Sequence, residues 1–418
     1  MVSFMPESPL FDTGCYPIFD RLVGPDQSRR LVYLDSAATA LVSEAVTDAF
    51  AAFVHASCAN IHRGAHLLAE EATDAYECAR ERLAAFLGAS SPEAVLFTHG
   101  ATESLNLAAL GWGRARLRAG DLVAVAEDNH HSNIVPWQML AEEQGVEVAW
   151  IPVDENGLLD LDAWHRIAER GPKAVALCHR SNVLGFAQPA LTEILDEARS
   201  CSALIVLDGA QAAGHIPVDL SRLPFDFYSC SAHKMGGLTG VGALVCSERA
   251  ADELAPLMGG GGMVARVDRA GFETLEGPAG FEAGTPAIAA AAVWPVALDS
   301  LEAAGLDALA SHSSDLAETA RQRLMTLPGA HVLGGGAGAP FEALVSFTVD
   351  GVHPHDASQR LSDAGIMVRA GHHCTKPLHR ALGARASLRA SFAGYNSARD
   401  VEALIQVMEE LSEKGRAA

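Results

Sequence analysis

The chain predicts an α/β protein, with a mostly parallel sheet in a large lobe and a smaller α+β lobe at the C-terminal end. Two observations carry this. From Arg30 to about Pro295, short runs rich in Val, Ile, Leu and Ala alternate with helical patterns, as βαβ units do when both faces of a parallel sheet are covered. The 418 residues also exceed the roughly 250–300 over which a single hydrophobic core stops growing, so more than one lobe is expected.

The elements follow in order. Apolar runs read as strands at Val95 to Thr98, Leu122 to Ala126, Val146 to Pro152, Ala174 to His179, Ala203 to Leu207, Phe227 to Ser231 and Gly242 to Cys246. The glycine run Gly259 to Gly262 and the glycines after it predict a mobile or irregular segment rather than a linker. After Thr285-Pro286 an Ala-rich helix is expected over Ala287 to Leu301. Helical patterns around Leu316 to Met325 and His355 to Leu361 flank a strand-like Ala343 to Thr348, and a last helix spans Ala398 to Leu411. The resulting division is an arm, 1–29, packing with the small domain, a large domain, 30–295, and a small domain, 296–418.

Charge and cysteine usage narrow the function classes. A net charge of −22 spread along the chain argues against nucleic acid and anionic lipid as partners. Met1 to Tyr16 carries Glu7 and Asp12 instead of a basic segment before an apolar run, and no stretch reaches the roughly 18 apolar residues of a membrane span. The eight cysteines form no CxxC pair, which fits free thiols in a reducing cytoplasm.

The chemistry-bearing residues fall just beyond the C-terminal ends of predicted strands, where open α/β sheets bind ligands. Lys234 follows one strand and precedes Gly236-Gly237, so its amine can project into the crevice. Asp208 ends the run Ala203 to Leu207, and a carboxylate in such a place needs a cation or a capping role. A protonated pyridine nitrogen is one such cation; a helix N-cap or an internal salt bridge are the alternatives. Gly100-Ala101-Thr102 opens a helical pattern whose N-H groups would face an anion, with Ser231 and His233 as further donors. His130 stands where an imidazole can stack on a flat ring. Neither His130-His131 nor His372-His373 has zinc-site spacing, so no metal is expected. Cys374 lies among His372, His373, Thr375 and Lys376, an exposed, electropositive setting of the kind that lowers a thiol pKa. The other reading is a small buried hydrophobe.

In order, spacing and type, these residues resemble the fold-type I, class V aminotransferase superfamily, and within it the group II (SufS-type) cysteine desulfurases and selenocysteine lyases. The likeness runs from Tyr33-Leu34-Asp35-Ser36-Ala37-Ala38 to Arg389-Ala390-Ser391. It passes through His62-Arg63-Gly64, Asn129-His130-His131-Ser132-Asn133, Ser181-Asn182, Asp208-Gly209-Ala210-Gln211, Ser231-Ala232-His233-Lys234, Phe281-Glu282-Ala283-Gly284-Thr285-Pro286 and Arg369-Ala370-Gly371-His372-His373-Cys374.

The resemblance implies pyridoxal phosphate as cofactor, in Schiff-base linkage to Lys234. Asp208 would pair with the pyridine nitrogen, Gln211 would contact the phenolic oxygen, and His130 would stack on the ring and manage the sulfur proton. Thr102, Ser231 and His233 would hold the phosphate, with Thr285 reaching it from the other subunit of a homodimer. Arg389, helped by Asn182, would bind the substrate carboxylate, and Cys374 would take sulfur from L-cysteine as a persulfide, leaving L-alanine. L-Selenocysteine is the alternative substrate. The short segment around Cys374 implies a sulfur acceptor protein of SufE or SufU type, serving iron-sulfur cluster or other sulfur-containing biosynthesis, and a Cys374 that swings on Gly371. Alternatives are β-elimination or transamination on another amino acid, and a noncatalytic scaffold.

The pattern departs from the family around the cofactor. Ala101 replaces a hydroxyl residue, Asn129 an acid, His99 and Gly280 arginines, and Met235-Gly236-Gly237-Leu238-Thr239-Gly240 the usual aromatic-Gly-Pro-Thr-Gly.

Overall fold

The computed structural model describes residues 6–335 and 342–415. Seven strands form the large sheet: β1 (Val95–Thr98), β2 (Leu122–Ala126), β3 (Glu147–Ile151), β4 (Ala174–Cys178), β5 (Leu204–Asp208), β6 (Phe227–Ser231) and β7 (Gly242–Cys246). Their order is β1-β7-β6-β5-β4-β2-β3. Pairing is parallel from β3 across to β6, and only β7, antiparallel to both β6 and β1, runs the other way. All the predicted strands form, with ends within a residue or so of those expected.

Alternation along each strand builds the two faces. Leu122, Ala124 and Ala126 pack into a core with the helices Leu67–Leu87, Leu191–Ser200 and Trp294–Ala304. Val123 and Val125 point the other way, onto Leu105, Trp112, Trp137 and Leu140. The helical run that starts at Ala101 continues through a π turn at Leu107–Trp112 to Arg116, and it covers that second face.

The Ala-rich helix differs from expectation. It is broken at Val293 into Ile288–Ala292 and Trp294–Ala304, because Pro295 has no N-H to give the turn before it and its ring clashes there. A hairpin of Val264–Val267 with Phe272–Thr274, mostly exposed, follows the Gly259–Gly262 segment and was not anticipated.

The smaller sheet is antiparallel, ordered β8 (Ala330–Val332), β9 (Leu344–Val349), β11 (Ser387–Ser391), β10 (Arg369–Gly371). Its core gathers Leu316 and Leu324 of Leu306–Thr326, Leu361 of Pro354–Asp363, Leu404 and Met408 of Ala398–Gly415, and Val345, Phe347 and Leu388 of the strands. The N-terminal segment lies against these elements. Leu10 and Phe11 donate backbone bonds to the Gly394 carbonyl at 2.7 and 2.8 Å, and Ala398 N donates to the Pro6 carbonyl. Phe11, Tyr16 and Phe19 ring Tyr395, and a Cβ on Gly394 would come within 2.6 Å of Phe11.

No single helix among the described residues is long and apolar enough to cross a membrane. The cysteines are all unpaired.

Candidate active site

β1, β2, β4, β5 and β6 end at one cavity of about 770 Å³. It is lined by Thr102, His130, Asn182, Asp208, Gln211, Ser231, His233 and Lys234 from the large lobe, and by Arg369, His373, Cys374 and Arg389 from β10, β11 and the turn between them. Residues hundreds of positions apart thus share one space.

The anion-binding end is built by a close approach. Gly100 has φ 152°, and a Cβ on Gly242 would lie 2.5 Å from its Cα, so β7 can start against this turn only as glycine. Ser231 Oγ accepts the Ala101 N-H at 2.7 Å, and the hydroxyls of Thr102 and Ser132 are 2.8 Å apart. The later first-turn N-H groups of the helix have no acceptor within it, which suits an anion. His233 Nδ1 meets Thr39 Oγ1 at 3.2 Å, and burial pulls its pKa down to about 4, so it is neutral near pH 7.

Lys234 closes the turn that follows β6. Burial disfavours its ammonium form and pulls the pKa down to about 8, while the Asp208 carboxylate opposes that shift. Asp208 is 7% exposed, and its Oδ1 accepts from Ala210 N at 3.0 Å and Ser229 Oγ at 3.2 Å. Gln211 Nε2 donates to the Ala37 carbonyl at 2.8 Å. His130 accepts the Ser132 N-H at Nδ1 (3.2 Å), so the neutral ring carries its proton on Nε2; burial pulls its pKa down to about 4.

The Cys374 rim has a different construction. Its thiol is exposed, as the polar neighbours implied. The segment around it is tied to Asn182 and His131 of the large lobe. Asn182 Nδ2 donates to the His373 carbonyl (2.6 Å), Thr375 Oγ1 to Asn182 Oδ1 (3.0 Å), His131 N to the Cys374 carbonyl (2.7 Å) and Lys376 N to His131 Nε2 (3.1 Å). His373 and Cys374 both sit in the left-handed region, at φ 50° and 57°. In this conformation the main chain around Cys374 is tied to the large lobe, while Gly371, at φ 129°, stands in open space. Asn182, expected to help bind substrate, lines the cavity but spends its carboxamide on this clamp.

Arg389 is 2% exposed. Nη1 donates to the Asn182 carbonyl at 2.9 Å and Nη2 to Asp35 Oδ1 at 3.3 Å, while burial lowers the guanidinium pKa to about 10. Asp35, whose pKa burial raises against the pull of Arg389, is the carboxylate partner of that guanidinium, and no local pattern in the sequence marks it as such. Arg180, also on the wall, is ion-paired with Glu342 at 3.0 Å and was missed.

Thr285 does not join this cavity. It lines a separate one of about 240 Å³ with Asn60, His62, Arg63 and Gly261. Among the departures, Asn129 is spent on the frame, donating to the Ala176 carbonyl at 2.8 Å and accepting from Asn133 at 3.1 Å. Gly280 is fixed by its backbone: a Cβ would lie 2.3 Å from the Leu275 carbonyl oxygen, so no arginine fits in this conformation.

A lysine amine beside a buried carboxylate at the strand ends points to a class, and comparison with known proteins agrees. The model of the class-V aminotransferase family matches residues 32–404, and the chain belongs to that family. Within it the chain is 42% identical to a probable cysteine desulfurase of Halobacterium salinarum, over 94% of each chain. It is 40% identical to a cysteine desulfurase of Haloferax volcanii, over 95% of each. Among solved structures, it superposes on a cysteine desulfurase from Thermococcus onnurineus with a TM-score of 0.88 at 37% identity, covering 94% of this chain and 97% of that one. For the cysteine desulfurase CsdA from Escherichia coli the TM-score is 0.85 at 36% identity, covering 95% and 98%.

The residues present fit pyridoxal phosphate, the family's coenzyme. The amine, the buried carboxylate and the glycine turn at a helix start surround one cavity, and the chemistry of this donor set matches the group's aldehyde, ring nitrogen and phosphate.

Proposed function

We propose that this chain is a pyridoxal phosphate-dependent cysteine desulfurase that converts L-cysteine to L-alanine and keeps the sulfur on Cys374. The observation that carries this reading is the sharing of one cavity by Lys234, Asp208, Arg389 and an exposed Cys374 thiol.

Lys234 would hold the coenzyme covalently, Asp208 its ring nitrogen, Gln211 its phenolic oxygen, and Thr102, Ser231 and His233 its phosphate, with His130 against the ring. When bound, pyridoxal phosphate supplies an electron sink for bonds broken at the substrate's α-carbon. Arg389 orients the substrate by its carboxylate, since a guanidinium fork matches a carboxylate. Lys234 Nζ, with its pKa near 8, moves the Cα proton. His130 Nε2 handles the proton on sulfur. Cys374 Sγ receives the substrate sulfur, so L-cysteine and a protein thiol become L-alanine and a protein persulfide, with all atoms accounted for.

The homodimer follows the same line. Thr285 lines a cavity separate from its own chain's main one, which fits service to a partner's phosphate, and Leu67, Leu68, Val267 and Phe272 are exposed apolar side chains that a partner could cover. A reducing cytoplasm and a sulfur acceptor of SufE or SufU type, feeding iron-sulfur cluster or related synthesis, complete the reading.

The test is direct. Purified holoprotein given L-cysteine should yield alanine and a Cys374 persulfide in equal amounts by mass spectrometry, and Cys374→Ser should lower alanine formation by about 100-fold or more while keeping the visible absorption of the bound coenzyme. Pyruvate and ammonia as main products, or an undiminished Cys374→Ser rate, would sink it.

A further inference from the structure

A buried chain of hydrogen bonds runs behind the substrate side of the cavity and fixes the protonation of a histidine the reaction scheme does not use. His379 Nδ1 lies 2.9 Å from the Thr375 carbonyl, which can only accept, so Nδ1 carries the proton. Burial lowers the His379 pKa, so the ring is neutral and Nε2 is a lone pair. Ser387 Oγ, 2.9 Å away, must donate to that lone pair. Having given its one proton, Ser387 can only accept from His373 Nε2, also at 2.9 Å. His373 is therefore the Nε2-H tautomer with a bare Nδ1.

Among the described residues that Nδ1 is buried without a partner, and so is a complementary donor, Arg389 Nε. His373 and Arg389 line the same cavity. Ser387 and Arg389 are two apart on β11, so their side chains leave the same face of the strand, and His373 is bonded to the first of them. Leaving both groups unpaired is costly, whereas pairing a charged donor with a neutral acceptor is one of the stronger hydrogen bonds. The Arg389 charge also acts on His373, helping to hold it neutral.

We propose that His373 is a positioning residue for Arg389: the two groups are not bonded to each other in this structure, and when substrate binds the bare Nδ1, set by the Thr375-His379-Ser387 chain, takes the Nε-H of the guanidinium and turns the Nη edge toward the substrate carboxylate. This rests on the reading of Arg389 as the carboxylate site. The Asn182 and Asp35 bonds already restrain one N-H on each Nη, and a third anchor at Nε fixes the plane of the fork. A fork already held in plane loses less freedom on binding a carboxylate through two parallel bonds than a free one does.

Steady-state kinetics of the holoenzyme with L-cysteine test it, because an asparagine at 373 can place an amide oxygen where Nδ1 was, and a glutamine reaches the Nε2 position instead. His373→Gln should raise KM about tenfold with kcat within about twofold, and His373→Asn should return KM to within about threefold of the parent. Should His373→Gln fail to fold, Ser387→Ala keeps both histidines, frees the tautomer and should raise KM about threefold. Arg389→Lys serves as the reference. If it raises KM while His373→Gln, or Ser387→Ala in its place, leaves KM unchanged, the positioning role is overturned and the carboxylate site stands. If Arg389→Lys also leaves KM unchanged, the carboxylate site itself falls. A fall in kcat with unchanged KM in the His373 variants likewise overturns the proposal.

Discussion

The two halves of the cavity are made by opposite means. The Lys234 half is rigid by burial: its groups stand at the ends of strands packed on both faces, and local bonds such as those from Ala210 and Ser229 to Asp208 hold them. The Cys374 half presents an exposed thiol on the segment His373 to Lys376, which is held by bonds that cross between lobes from Asn182 and His131. The lesson is that pKa tuning needs removal from water, whereas an exposed thiol keeps access to solvent, and hydrogen bonds to its flanking segment then supply order.

Variants that act on one half alone sharpen this contrast. The largest effect is expected at Lys234. Lys234→Ala should lower alanine formation by about 1000-fold or more and shift the coenzyme absorption, while leaving Cys374 as reactive toward an alkylating reagent as in the parent. Loss of Cys374 reactivity in that variant would break the separation. Asn182→Ala comes next. By releasing the carboxamide from His373 and Thr375 it should cost about 10-fold to 30-fold in kcat for persulfide formation without altering the absorption spectrum. A spectral change would show that the rim also shapes the coenzyme end.

The smallest effect concerns pH. Lys234 has a pKa pulled down to about 8, so uptake of pyridoxal phosphate by apoprotein should speed up as pH rises toward 8 and level off above it. Because the Asp208 charge holds that proton on, Asp208→Asn should move the midpoint to lower pH, which stopped-flow absorbance can follow. A midpoint near the ordinary lysine value would show that the amine is not desolvated. The corresponding stability term has the same sign: a lowered folded-state pKa favours the folded apoprotein at high pH, and that gain is lost as pH falls from above 10 through 8.

What the sequence disclosed follows the same division. Strands buried on both faces read as unbroken apolar runs, so β1 to β7 were legible almost to the residue. β10 and β11 were not, because Arg369, Ser387 and Arg389 serve the cavity and interrupt the pattern; the hairpin at Val264 was hidden by its exposure. Lys234, Asp208 and Cys374 stood out through order and spacing against the family pattern. The clamp did not, since Asn182 meets a carbonyl 191 residues away, and only the fold shows which neutral side chain faces which main-chain atom.

The left-handed turn at His373 and Cys374 carries a final implication for how this protein balances durability against use. A side chain in that region disfavours the folded state by about 1–2 kcal/mol per residue, which glycine would avoid. Cysteine at 374 is thus a conformational handicap that no local packing explains, since the thiol is exposed. The conformation that presents the Cys374 thiol is therefore one that costs this protein folded-state stability.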